Sequence, residues 1–158
     1  MKNRMLMVSL VLALLVLPAA AQNAPDKSGF QGHFIGMGCM QGSDPVGLEI
    51  SVANDTVVLS KVMGGGEVVP THLEGTPKYA SEDGASVMYV AFKADSMNRT
   101  FAMRLLPHDA ASIYGNGIMV GKDGTRYPMP KLGFFKVEPG DTLEHLFAVL
   151  KDECKDSK

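Results

Sequence analysis

Alternation of apolar and polar positions dominates the chain from residue 29 onward. In 46–52, Val46, Leu48, Ile50 and Val52 share one face of an extended segment, the two-residue period of a half-buried strand. Asn54-Asp55 follows with turn chemistry, and 56–63 resumes with β-branched residues. Gly64-Gly65-Gly66 breaks that run and 67–73 continues it. Pro70 marks this segment as an edge strand or a bulge, because proline cannot donate to a sheet ladder. After the turn residues Glu82-Asp83-Gly84, residues 85–94 form the strongest strand pattern. Met88, Val90 and Phe92 lie on one face, against Val87, Tyr89 and Lys93. A short turn at 95–98 leads into 99–106, where Phe101, Met103 and Leu105 oppose Thr100, Ala102 and Arg104. Two alternating flanks with so short a connection predict a hairpin. Runs at 111–120, 125–129 and 132–137 finish the β region. Gly115 and Gly117, inside the first of these, mark curvature or close backbone approach.

The end of the chain changes period. Leu143, Leu146, Phe147, Leu150 and Cys154 recur at helical spacing and make one stripe. Asp141, with Glu144 three residues on, has capping-box spacing and predicts a helix over 142–153. Seven to nine short strands at roughly ten-residue spacing, joined tightly and followed by one helix, predict a mainly β fold. The expected architecture is an antiparallel barrel-like sheet with the C-terminal helix docked on it, since curvature glycines favour a barrel over a flat sandwich. No internal repeat or linker divides it, so 29–154 reads as one domain, preceded by a flexible lead-in at 22–28 and followed by a polar tail at 155–158.

The first 21 residues belong to a different class. Lys2 and Arg4 precede an apolar run over 5–17, and Ala19 and Ala21 supply an A-x-A site. This is the pattern of a secretory signal peptide cut before Gln22. The run of about 13 residues is too short to span a bilayer. The expected product is a secreted or periplasmic protein with no membrane span. Export gives Cys39 and Cys154 their meaning, because an isolated pair in an oxidising compartment predicts a disulfide. The helical stripe turns Cys154 toward the β layer, where Cys39 lies within reach.

Charge narrows the partners. Removing 21 of 158 residues leaves 137, and Lys2 and Arg4 leave with them, so 13 basic residues face 17 acidic ones, a net of −4. That balance argues against nucleic acid and against a polybasic membrane anchor. The apolar content is too high for disorder.

Candidate chemistry is sparse. His33, His72, His108 and His145 form no spaced metal motif. His33, Met37, Cys39 and Met40 offer imidazole, thioether and thiolate, a set suited to copper(I). In a strand, His33, Met37 and Cys39 share a face while Met40 points away, and the disulfide claims the thiolate. The expectation is therefore no metal and no cofactor, with a copper-binding protein kept as the second alternative. Neither G-x-S-x-G nor a phosphate loop occurs, so no catalytic residue is assigned and the expectation is not an enzyme. Asn54 and Asn98 stand in N-x-T sequences, which turn chemistry alone explains.

In outline, the signal peptide, curved barrel, C-terminal helix and long-range disulfide resemble the lipocalin-type, calycin-like binding proteins over 29–154. Gly29-Phe30-Gln31-Gly32-His33-Phe34 brings Gly and aromatics where that family carries G-x-W, and the chain has no Trp. Gly75-Thr76-Pro77-Lys78-Tyr79, preceded by Glu74 rather than Ser, is faintly similar to a loop of small periplasmic lysozyme inhibitors. These likenesses imply a binding role and carry over no residue. The leading expectation is a non-enzymatic module holding a small apolar or amphipathic ligand, lined by Met88, Val90, Phe92, Phe101 and Met103. Methionine and phenylalanine suit an adaptable apolar pocket, which should enclose roughly 300 Å³ or more. The alternative is an inhibitor-like module that binds a protein partner, with a filled interior.

Overall fold

The computed structural model describes residues 24–39, 45–64, 66–95 and 98–156. Residues 1–23, which hold the expected signal peptide and the start of the lead-in, lie outside the described residues, as does Met40 of the copper set. A single 3-10 turn, Ser28–Phe30, precedes nine strands: β1 (Gly32–Cys39), β2 (Pro45–Ala53), β3 (Thr56–Gly64), β4 (Glu67–Gly75), β5 (Lys78–Glu82), β6 (Ala85–Ala94), β7 (Arg99–Pro107), β8 (Ser112–Gly121) and β9 (Arg126–Lys136). One helix, α1 (Leu143–Asp156), follows. The segments expected at 125–129 and 132–137 are one strand, β9. Its break in pattern is a bulge, where the register with β8 shifts between Gly115 and Gly117.

Every paired strand is antiparallel, in the order β4-β3-β2-β1-β9-β8-β7-β6-β5. The sheet is a meander in which β9 returns to β1, curled into a half-barrel whose interruption lies between β4 and β5. Edge position and bulge both apply at Pro70. β4 is a sheet edge, and its register against β3 shifts between Leu59 and Lys61, opposite Pro70. Near the interruption Gly75 lies hard against β6. A Cβ there would stand 2.7 Å from Val90 Cγ2 and 2.8 Å from the Ala91 carbonyl oxygen.

Alternation puts Phe34, Leu48, Ile50, Val52, Val57, Leu59, Met88, Val90, Phe92, Phe101, Met103, Leu105, Leu132 and Phe134 in one continuous inner core. Phe30 enters it from the 3-10 turn, with its ring centroid 5.6 Å from that of Tyr79. Around Phe30 the N-terminal segment is stitched down. The Asp26 N–H donates to Ser86 Oγ at 2.7 Å, Lys27 pairs with Asp55 at 3.1 Å, and the Asn54 N–H donates to Gln31 Oε1 at 3.1 Å. This end of the half-barrel is closed.

The helix lies on the outer face of the sheet. Leu143 packs with Ile35 and Met63 in a second cluster, flanked by Met37, Val68, Leu146 and Phe147. Gly47 makes room for it, since a Cβ there would stand 3.0 Å from Leu143 Cδ1. Cys39 and Cys154 are bonded, with Cα atoms 5.4 Å apart across a sequence separation of 115. The helix therefore docks at its first turn by Leu143 and near its end by a covalent link. Its start corrects the expected capping box. The helix begins at Leu143, and Thr142 Oγ1 accepts the His145 N–H at 3.1 Å. The Asp141 carboxylate instead accepts the Glu138 N–H at 3.1 Å. It is spent on the Pro139-Gly140 turn, so Thr142 is the cap.

Candidate functional site

The open end of the half-barrel, opposite Phe30, holds a half-enclosed cavity of about 380 Å³. Its walls follow from strand register. On the inner face Phe92, Phe101, Met119 and Tyr127 stand side by side across β6, β7, β8 and β9. The next row down is Val90, Met103, Gly117 and Met129, and below it lie Met88, Leu105, Gly115 and Leu132. Val46 and Leu48 of β2 and Val62 of β3 face Phe101, Met119, Met129 and Leu132 across the cavity. One charged side chain lines it, Arg99, at the top of β7. Arg99 has the same parity as Phe101, Met103 and Leu105, so its side chain starts on the inner side of the rim.

Of the five ligand-lining residues expected from sequence, Phe101 borders this cavity. Phe92 shares the row of Phe101 but is buried in the continuous core, and Met88 and Val90 lie deeper in it, each at most 3% exposed. Met103 borders a shallow second hollow with Tyr89, Arg104, Asn116 and Gly117. Two of its polar side chains, Tyr89 and Arg104, are already engaged with each other and with Glu82. Arg104 Nη2 donates to Glu82 at 2.6 Å, Arg104 Nε donates to the Tyr89 hydroxyl at 3.3 Å, and that hydroxyl donates to Glu82. Arg104 and Glu82 thus hold β5 to β7 across β6. Sequence reading did not find Val62, Met119, Tyr127 or Arg99. The inward parity of Arg99 was legible in β7. The placement of Met119 and Tyr127 depends on the bulge at Gly115–Gly117, which alternation alone does not locate.

His33, Met37 and Cys39 share the outer face, as strand parity expects, but each has another engagement. Cys39 is in the disulfide and Met37 packs in the helix–sheet cluster. His33 Nε2 lies 3.1 Å from Glu49 Oε1. Glu49 is the center of a polar group on this face. Lys61 Nζ reaches Glu49 Oε2 at 3.2 Å and Glu144 Oε1 at 3.2 Å, tying the helix start to the sheet. Burial lowers the Lys61 ammonium's affinity for its proton, and the hydrogen bonds to Glu144 and Glu49 more than reverse this, so its pKa stands above the ordinary lysine value.

Ser60, the extra residue where β3 bulges against β2, donates to the Glu49 carbonyl oxygen at 3.1 Å and to Oε1 at 3.3 Å. The contacts run hydroxyl, carboxylate, imidazole. A hydrolytic triad needs the imidazole in the middle, accepting the hydroxyl proton, and here the carboxylate separates the two. Among the described residues no three His, Cys, Asp or Glu side chains converge as a metal site.

The remaining histidines have ordinary settings. His72 lies 3.4 Å from Glu74 on the exposed edge strand, His108 stacks edge-on against Tyr114, and His145 is exposed on the helix. Asn54 and Asn98 have φ of 53° and 51°, the left-handed turn conformation that asparagine tolerates. No described helix is long and apolar enough to cross a membrane. No family model matches the chain, and no significant similarity links it to a curated protein or to a solved structure.

Proposed function

We propose that this chain is an exported, non-catalytic binding module that takes a small apolar or amphipathic molecule into the open end of its half-barrel. The observation that carries the reading is the 380 Å³ cavity, bordered by Val46, Leu48, Val62, Phe101, Met119, Met129 and Leu132. That volume lies within the range of small-molecule sites. Three of the lining side chains, Met63, Met119 and Met129, are methionines, whose unbranched thioethers adapt to varied shapes. Export accords with the Cys39–Cys154 disulfide, a bond that persists in oxidising compartments. Of the five residues expected from sequence, Phe101 borders this cavity.

Equilibrium dialysis of labelled 1-decanol against the full chain tests the reading. Saturable binding is expected in the wild type, with a marked loss in Val62→Phe, which fills the cavity with an aromatic ring. Thermal melts confirm that the variant folds. No saturable binding, or binding indifferent to Val62→Phe in a folded variant, would sink it. The protein-binding alternative draws on a different surface. Phe135 is 54% exposed on the outer face of β9, and a Cβ at Gly133 would touch its ring and that of Tyr114, each at 3.5 Å. That reading expects decanol to fail.

A further inference from the structure

We infer that the ligand of the rim cavity carries an anionic head, and that Arg99 receives it as a free, single-chain carboxylate enters with its tail toward Leu48 and Leu132. This rests on the binding reading above and adds the chemistry of the polar end. Arg99 lines both the apolar cavity and an adjoining polar hollow at the rim, formed with Lys93, Asp95, Thr100, Val120 and Lys122. The guanidinium therefore stands at the boundary between an apolar chamber and a wet, cationic edge.

What Arg99 touches is the second observation. Its Nη1 donates to Met119 Sδ at 3.3 Å. A thioether is a weak acceptor, and a guanidinium has five N–H donors arranged to meet a carboxylate with two parallel bonds. Among the described residues neither Arg99 nor Lys122 is paired with a carboxylate, while Lys93 is held by Asp95 at 3.1 Å. Lys27 and Lys61 each have a carboxylate partner, Lys131 and Lys136 stand over the Tyr114 and Phe34 rings, and Arg104, on the same strand as Arg99, is engaged by Glu82 and Tyr89. The protein is acidic as a whole, so an unneutralised Arg–Lys edge beside the apolar opening is a local departure from its charge. Its field favours an anion at the place where an amphiphile's head would emerge. The tail is buried by the apolar walls and the head stays at the hydrated rim, so neither group is placed in the wrong medium.

Calorimetric titration of the full chain with decanoate, 1-decanol and decyltrimethylammonium at neutral pH tests this. The expected result is decanoate bound roughly tenfold or more tightly than decanol, a preference the size of a charge-assisted hydrogen bond. Arg99→Gln should erase that preference, read as the ratio of decanoate to decanol affinity within the same variant. Lys122→Gln, which removes a nearby charge without a direct donor pair, should reduce it by a smaller, salt-dependent factor. Both residues are exposed, so both variants should fold. Equal binding of decanoate and decanol, a preference that survives Arg99→Gln, or tighter binding of the cation would each overturn the inference and leave the apolar-ligand reading standing. Failure of decanol and decanoate alike would end both. Phosphatidylglycerol vesicles that sediment the wild type but not Arg99→Gln, with no binding of free decanoate, would assign the rim to a membrane surface and overturn the inference.

Discussion

Phe134 offers the sharpest test of how this sheet is packed. The strand β9 sits between β1 and β8, and the Phe134 ring points inward and is fully buried. Its register partner on β1 is Gly36; on β8 the partner is Ile113, and Gly115, two residues along, meets the ring diagonally. A methyl group at Gly36 on β1 would overlap the ring, and one at Gly115 on β8 would stand 2.9 Å from Phe134 Cε2 and 2.5 Å from Leu105 Cδ2. The ring fills the space that two absent side chains leave. Gly36→Ala should therefore destabilise by about 1–3 kcal/mol through overpacking, even though adding a Cβ restricts the unfolded chain and offsets roughly 0.4–1 kcal/mol of this. Phe134→Ala should cost about 3–5 kcal/mol, the transfer term plus the void. The two changes share one volume, so the double variant should be less destabilised than their sum by about 1 kcal/mol or more. Urea unfolding of the four proteins measures all three quantities, provided the slopes agree. Gly36→Ala within about 0.5 kcal/mol of wild type, or a double variant that is simply additive, would refute the account of the ring and its glycine bed.

Replacing Cys39 and Cys154 together by Ser should lower stability by up to about 5 kcal/mol in a chain-entropy account, given their 115-residue separation. Equal urea midpoints for the oxidised wild type and the double Ser variant would contradict this. Thr142→Ala removes the acceptor for the His145 N–H and should cost about 1 kcal/mol. Hydrogen exchange should show the first turn of α1 loosened, whereas Asp141→Ala should loosen the 138–141 turn first, and the reverse ranking would restore Asp141 as the cap. The Glu144 carboxyl is held below the ordinary glutamate value by its own backbone N–H; burial opposes this and Lys61 adds to it. The folded protein then binds fewer protons than the unfolded chain just below about pH 4.5, so stability rises with pH through that window. The advantage of wild type over Glu144→Gln should be full above it and fade as pH falls through the depressed folded value. Melting temperatures whose gap widens in acid would reject that sign.

Much of the local architecture was legible because it depends on near neighbours. The two-residue period of 46–52, 85–94 and 99–106 sorts inward from outward side chains wherever the chain is extended. Pro70 announced an irregular edge because a missing N–H is a property of one residue. The stripe from Leu143 to Cys154 identified the docking face of the helix and, with export chemistry, the partner of Cys39. The helix cap was misplaced by one residue, since Asp141 and Thr142 are both competent caps and only the turn at Glu138 decides which one is free.

Tertiary structure decided what depends on residues far apart in sequence. Alternation orients a strand but does not say which strand lies beside it, so the return of β9 to β1 and the interruption between β4 and β5 had no local sign. The same holds for the site. Met88, Val90 and Phe92 read as pocket walls because inward parity is all that a single strand reveals. Phe30 fills one end of the half-barrel, and the unfilled volume lies at the other. Arg99 carries the parity of Phe101, yet its place at the mouth required Met119 and Tyr127 to arrive from β8 and β9 through a bulge that shifts their register. Periodicity is enforced one residue at a time by backbone geometry, whereas a cavity is a shortfall of volume among many strands and exists only once all of them are in place.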